Sequence, residues 1–296
     1  MITICDDLRK SVLQAAIQGK LTEQLPEDGN AEDLYKEIQA EKQKLIKEGK
    51  VKKEKPLPEI KEGKIPFDIP ENWKWVYLGE IFSHNTGKAL NQSNSDGTSM
   101  PYITTSNVYW NGFVLDDLRS MNFTDLEIEK CTIRTGDLLV CEGGDIGRSA
   151  IWPYDYEMRI QNHIHKLRPY VQLDIKYYWY VLFLYKTAGW IGGKGIGIQG
   201  ISSNALHKII VPLPTLSDQK RIVAKVDELM VKIDEMEKTE KAVTKLYDEF
   251  PGNMKAALLQ AAIQGKLTEQ LPEDGNADDL YKEIQAEKQR LIKEGK

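Results

Sequence analysis

Thirty-eight consecutive residues, Leu13 to Lys50 (LQAAIQGKLTEQLPEDGNAEDLYKEIQAEKQKLIKEGK), recur almost letter for letter as Leu259 to Lys296, 246 positions later. Two positions differ, Glu32 against Asp278 and Lys44 against Arg290. The repeated segment has no Cys, no His and no glycine-rich phosphate loop, so what is duplicated is scaffold rather than active site. Solenoid units recur every ~20 to 50 residues. A period of 246 instead describes two copies of a helical connector flanking one unrelated globular insert.

At 296 residues the chain can bury one sizeable core and still carry helical appendages. Its hydrophobic content of 41% and charged content of 29% are those of a soluble, helix-rich protein. The longest apolar run, Tyr177 to Tyr185 (YYWYVLFLY), is about half of a membrane span and reads as a buried helix. Met1 to Lys10 lacks the apolar core of a signal peptide. Cys5, Cys131 and Cys141 form no CxxC pair, and an odd count argues against a disulfide framework. The expectation is a reduced, cytoplasmic protein with no structural metal and no cofactor. His163 and His165 sit two apart without a Cys or third His beside them, so they read as strand side chains rather than metal ligands.

Three zones follow from composition. Residues 1–63 carry the first repeat copy and a charged, proline-marked linker, Val51 to Lys64 (VKKEKPLPEIKEGK), that reads as an extended tether. Leu8, Val12, Ala15 and Ala16 predict one short helix closed by Gly19. Ala31 to Glu48 predict a second, capped by Asn30, with Leu34, Ile38 and Leu45 in helical register. Together they read as a helical hairpin. Residues 64–215 change character: aromatics, glycines, all four histidines, and β-rich runs such as Thr132 to Val140 and His207 to Pro214. Residues 216–296 open with Ser217-Asp218 as a helix cap. Steps of four and three then pass through Ile222, Val226, Leu229, Ile233, Met236, Glu240, Val243, Tyr247 and Phe250, of which Glu240 alone is polar. That is a coiled-coil seam. It is expected to end at Pro251-Gly252 after a helix of about 50 Å at roughly 1.5 Å per residue. The fold class is therefore α+β, one mixed α/β domain flanked by long helices.

No motif carries catalysis. Gly195, Gly197 and Gly200 satisfy GxGxxG literally, but they follow a helix and lead into Ser202, Ser203 and Asn204, which is not the strand-turn-helix context of a dinucleotide site. GxxxxGK[ST], HExxH and GxSxG are missing, as is the Asn/Asp-Pro-Pro-aromatic motif of amino-methyltransferases. Asp116-Asp117 and Glu142 with Asp145 lack the surroundings of a nuclease and read as turn carboxylates. Glu142-Gly143-Gly144 with Gly147 reads as a tight turn after a strand from Leu138 to Cys141.

The middle zone does offer loop side chains able to pair with DNA. Lys88, Arg148 and Lys194 are candidates for phosphates, and Asn91, Gln92, Thr105, Asn107, Gln199 and Asn204 for base edges. Asn, Ser and Thr clusters are also what ordinary loops contain, and by composition alone that plainer reading leads. The net charge of −5 lacks the basic excess of a free-standing DNA-binding domain, so a DNA reading needs a local patch or a basic partner.

Three stretches now converge: Pro212 to Glu237 (PLPTLSDQKRIVAKVDELMVKIDEME), Leu258 to Thr268 (LLQAAIQGKLT, echoed from Val12 to Thr22) and Ile69 to Phe82 (IPENWKWVYLGEIF). Together they resemble the DNA-specificity subunit of type I restriction-modification systems. The resemblance covers nearly the whole chain. It implies a non-catalytic protein whose middle zone is a target-recognition domain reading half of a split double-stranded DNA site. Its helical zones would be spacer and docking surface for methyltransferase subunits and, through them, the restriction subunit. Pro101 to Phe113, Gly136 to Trp152, Gln161 to Pro169 and Gly197 to Leu206 would be framework pieces of that domain. Members usually carry two recognition domains, and this chain holds one, so it looks like a half-sized form able to restore symmetry as a homodimer. The competing reading is a coiled-coil adaptor with a protein-binding head and no sequence-specific DNA binding.

Overall fold

The computed structural model describes residues 4–53, 55–90, 96–191 and 201–295. They fall into two compact units, Met1–Asp234 and Glu235–Lys296. The first repeat copy forms α1 (Ile4–Ile17) and α2 (Ala31–Lys47). Gly19 stops α1 with a φ of +68°, and the Asn30 side chain accepts from the Glu32 N–H at 2.8 Å to start α2. Both ends lie where the sequence puts them, because caps are chosen by residues a few positions away.

The insert runs β1 (Lys74–Tyr77), α3 (Leu78–Ile81), β2 (Phe82–Thr86), β3 (Thr98–Ile103), β4 (Val108–Tyr109), β5 (Gly112–Phe113) and β6 (Arg119–Phe123). It continues through α4 (Asp125–Cys131), β7 (Thr132–Ile133), β8 (Leu138–Cys141), β9 (Ser149–Ile151), β10 (Met158–Ile160) and β11 (Ile164–Pro169). It closes with α5 (Ile175–Thr187), α6 (Ser203–His207) and β12 (Ile210–Leu213). Among the described residues the strands form sheets in the orders β6-β3-β10-β7 and β2-β11-β8-β9, with two-stranded ribbons β1-β12 and β4-β5. The β1-β12 ribbon, from Lys74 opposite Leu213 to Tyr77 opposite Ile210, brings the insert's entry and exit side by side. β8 separates two cores. Leu138 and Val140 point into the larger one and Leu139 and Cys141 into the smaller, as the two-residue period of a strand covered on both faces requires. The aromatic run Tyr177 to Tyr185 is α5, a buried helix as expected, with the Asp174 carboxylate capping it.

The first repeat copy shares the insert's main core. Leu13, Ala16 and Ile17 of α1 are buried there, with α1 lying on α5, and Ala31 and Ile38 of α2 are buried beside α3. The hairpin read from the sequence is therefore replaced by two separate dockings on the insert. Polar contacts fix α2: Tyr35 donates to Glu80 at 2.7 Å, Lys42 to the Gly79 carbonyl at 2.7 Å, and Lys74 to Glu32 at 2.8 Å. Gly19 could be no other residue, since a Cβ there would lie 2.4 Å from Pro70 Cγ.

Beyond the insert come α7 (Leu216–Ile263) and α8 (Ala277–Lys293). Three expectations about α7 are corrected. Its cap is Thr215, whose hydroxyl accepts from the Asp218 N–H at 3.2 Å, rather than Ser217-Asp218. Pro251 does not end it: the ring costs one backbone hydrogen bond, and the neighbouring turn is exposed, so water can take the orphaned carbonyl. The seam is also divided. Ile222, Val226 and Ile233 are buried within the first unit and Leu229 is half-buried, so this half is closed by its own chain; Met236, Val243, Tyr247 and Phe250 are exposed.

Asp218 is fully buried at the head of α7, and burial raises its carboxyl pKa. It accepts from Trp73 Nε1 at 3.0 Å and pairs with Arg221, which also grips Asp28 of the first copy through Nη1 at 2.6 Å. Replacing Arg221 by Ala leaves a buried carboxylate without its cation, and should cost about 3 kcal/mol or more in urea unfolding. A loss within about 0.5 kcal/mol would mean that water replaces the guanidinium.

The second copy repeats the local structure of the first but not its burial. Leu13 is 1% exposed and its counterpart Leu259 55%; Ile17 is 0% and Ile263 87%; Ile38 is 0% and Ile284 54%. Gly265 again has positive φ, yet a Cβ on it would meet nothing nearer than Gln270 Nε2 at 3.5 Å.

Candidate nucleic-acid interface

Two loop clusters of the insert gather polar side chains. In the first, the turn between β8 and β9 leans on the segment from Thr104 to Tyr109. Gly144 and Gly147 take φ of +71° and +84°, and Gly147 faces Ile191 so closely that a Cβ would lie 2.6 Å from Ile191 Cγ2, which makes this the tight turn the sequence described. Arg148 donates to the Thr105 carbonyl at 2.5 Å and lies over the Tyr109 ring at 4.8 Å. Asn107 locks the loop from inside, its Oδ1 accepting from the Thr104 N–H at 2.8 Å and its Nδ2 donating to the Val114 carbonyl at 2.9 Å. The turn carboxylates are held too, Glu142 by His163 at 3.5 Å and Asp145 by Lys186 at 2.7 Å.

In the second cluster three imidazoles touch in series. His165 Nε2 lies 2.8 Å from the Ile201 carbonyl, His165 Nδ1 2.8 Å from His84 Nε2, and His84 Nδ1 2.9 Å from His207 Nε2. A carbonyl can only accept, so His165 donates from Nε2, its Nδ1 accepts from His84, and His84 in turn accepts from His207. One backbone oxygen thus sets the tautomers of all three neutral rings. Burial, reinforced by His165 and then His207, pushes the His84 pKa down to about 3. The rings reach one another because Gly79 has no side chain; a Cβ there would lie 2.8 Å from His207 Cγ. Over the chain opens a cavity of about 460 Å³ walled by Lys55, Leu57, His84, Asn85, Thr86, Lys130, Ser203, Asn204 and His207. Among the described residues no group of three or more His, Cys, Asp or Glu is arranged to hold a metal ion.

The sequence candidates distribute unevenly over this surface. Arg148, Thr105 and Asn107 come together in the first cluster, and Asn204 lines the cavity of the second. Lys88 is a correction. Its side chain is buried, with Nζ on Glu127 at 2.7 Å and on the Asn122 carbonyl at 2.8 Å, so it ties β2's exit to α4 and offers no ammonium to a phosphate. Asn91, Gln92, Lys194 and Gln199, with the glycines of the GxGxxG run, lie outside the described residues. Sequence reasoning missed Lys55, Lys130 and the histidine chain. Its members are 81 and 42 positions apart and carry no local signal; the reading of His165 as a strand side chain was the nearest hint.

The first unit is an insert of paired strands closed by its own ends, followed by a helix entering the repeat, and a family model for the type I restriction modification DNA specificity domain matches residues 70–245. The chain belongs to that family. Two specificity-domain relatives from Escherichia coli, the type I restriction enzyme EcoAI and EcoEI specificity subunits, are 27% and 28% identical over 98% of this chain. The chain spans 56% of the length of each. The HsdS subunit from Thermoanaerobacter tengcongensis covers 89% of this specificity-domain chain at 20% identity with a TM-score of 0.47, the chain covering 58% of it. None of the described helices is long and apolar enough to cross a membrane.

Proposed function

We propose that this chain is a non-catalytic, cytoplasmic DNA-recognition subunit that directs type I methyltransferase subunits, and through them a restriction subunit, to a bipartite double-stranded target. The observation that carries the reading is the family match over the insert and the helix leaving it, residues 70–245. The insert reads one half-site, with Arg148, Thr105 and Asn107 of the first loop cluster and Asn204 of the second on its DNA face. Asn91, Gln92, Lys194 and Gln199 belong to the same proposal.

Symmetry needs a second reader. The chain supplies it by pairing as a homodimer through what the structure leaves bare: Met236, Val243, Tyr247 and Phe250 of α7 and the apolar residues of the second repeat copy, Leu259, Ile263, Leu280, Tyr281 and Ile284. Exposed apolar area on that scale marks an interaction surface. An isologous dimer presents two identical domains, so the target is an interrupted palindrome.

Sequencing methylated sites in cells carrying this chain with its methyltransferase partner tests the proposal. The expected motif is a palindrome with a gap of unread bases. Deleting the heptad Met236 to Ala242, beyond the half of the seam buried in the first unit, removes roughly 10 Å of helix, keeps register, and should shorten the gap by about three base pairs without changing the half-sites. Methylation or cleavage by the purified chain alone would sink the non-catalytic assignment. A gap indifferent to the deletion would remove the spacer role, and methylation independent of this chain would leave the adaptor reading.

A further inference from the structure

The cavity over the histidine chain has a composition that neither the family match nor the loop candidates explain. Its walls come from four separate parts of the chain: the linker (Lys55, Leu57), β2 (His84, Asn85, Thr86), the end of α4 (Lys130), and α6 (Ser203, Asn204, His207). Among the described residues two lysines line it and no Asp or Glu does, in a chain with 45 acidic and 40 basic residues. Neither Lys55 nor Lys130 has an ion-pair partner among the described residues, whereas Lys74, Lys88 and Lys186 are paired with Glu32, Glu127 and Asp145. Around the two cations stand the hydroxyls of Thr86 and Ser203 and the amides of Asn85 and Asn204, all able to donate. The floor is preset, because His84 is bonded at both ring nitrogens.

Unpaired cations with neutral donors on a fixed floor suit an oxyanion. A polymeric one fits better than a small one, for two reasons. Lys55, Lys130, Ser203 and Asn204 are exposed, so a backbone can reach them from outside. The linker from Val51 to Lys64 is also net positive, five lysines against three glutamates, with Lys52, Lys53, Lys61 and Lys64 exposed. We propose that this cavity seats a phosphate of the DNA backbone, with Lys55 and Lys130 as its cations and Thr86, Ser203 and Asn204 as its donors. The linker, which the sequence alone presents as a tether, is then part of the DNA-binding surface and lends it a net positive charge on an acidic chain. This deepens the proposed function and rests on it.

The four histidines make the test direct, since His84 and His207 report on the cavity while His163, paired with Glu142, reports on the first loop cluster. The full-length chain is titrated with a short duplex of random sequence and, separately, with inorganic phosphate, while histidine-selective NMR and duplex affinity are followed. The expected result is that the duplex shifts the His84 and His207 signals. In the Lys55→Gln/Lys130→Gln variant, whose changes are both on exposed side chains, those shifts should disappear. Its slope of log K against log salt should flatten by about 0.9, for the one phosphate the cavity holds, with sequence preference retained. Duplex binding with neither signal moved, or with the salt slope of the variant unchanged, overturns the cavity assignment and leaves the DNA reading standing. Shifts with inorganic phosphate and none with duplex would make it a small-anion site and overturn the backbone assignment. No duplex binding at all would overturn the DNA reading together with this one.

Discussion

Ile38→Ala should destabilise the first unit by about 2–5 kcal/mol, and Ile284→Ala, the same change in the same local sequence, should leave it unaltered within about 0.5 kcal/mol. The difference lies in burial alone. Ile38 is closed into the core beside α3, and Ile284 stands in solvent on α8. All six tryptophans lie between Trp73 and Trp190, so a tryptophan-detected urea transition reports the first unit specifically. Gly19→Ala against Gly265→Ala sharpens the comparison. Both positions have positive φ and share the left-handed strain of roughly 1 kcal/mol. Only at Gly19 does the new methyl also strike Pro70 and Trp73, so it alone should bring a loss well above that figure. In complexes the order should reverse, since Ile284→Ala removes part of the surface proposed for assembly and should weaken the dimer while sparing the fold. Equal destabilisation by both isoleucine changes would mean that the second copy is buried in the free chain after all.

Acid should unfold the first unit earlier than its carboxylates require. His84 is held neutral in the fold, its pKa pushed down from 6.5 to about 3, chiefly by burial and then by His165 and His207. Below pH 6.5 the unfolded chain binds a proton that the folded one refuses, so stability falls as pH falls from 6.5 toward 3, at about 1.4 kcal/mol per pH unit. At pH 5 the loss from this ring alone is about 2 kcal/mol relative to neutral pH. His165, also lowered by burial, adds in the same direction. Gln in place of His84 can still donate to His165 and accept from His207, yet it does not titrate. His84→Gln should therefore remove this part of the pH dependence between 6.5 and 5 while preserving the fold at pH 8. An unchanged slope would show that the imidazole chain opens to water before it titrates.

Much of this architecture was legible from residues near one another in sequence. The ends of α1 and α2 follow from Gly19 and Asn30, the buried helix from Tyr177 to Tyr185, and the β8-β9 turn from its glycines, because capping, periodicity and positive φ are decided within a few residues. Candidate loops were legible by residue type, but not which side chains remain available. Lys88 carries the same charge in any context, and only the approach of Glu127 and Asn122, 39 and 34 positions on, removes it from the surface. The histidine chain is the converse, three residues with no local signal made into one unit by the pairing of β2 with β11 and the packing of α6 on α3. Pro251 shows a local rule yielding to context, since an exposed helix can lose one hydrogen bond to water and continue. The repeat draws the line most sharply. By itself the sequence determined that both copies form the same two capped helices. Only the tertiary structure decided that one copy is core and the other surface, because burial is a property of what lies opposite a face, and identical residues cannot encode their neighbours.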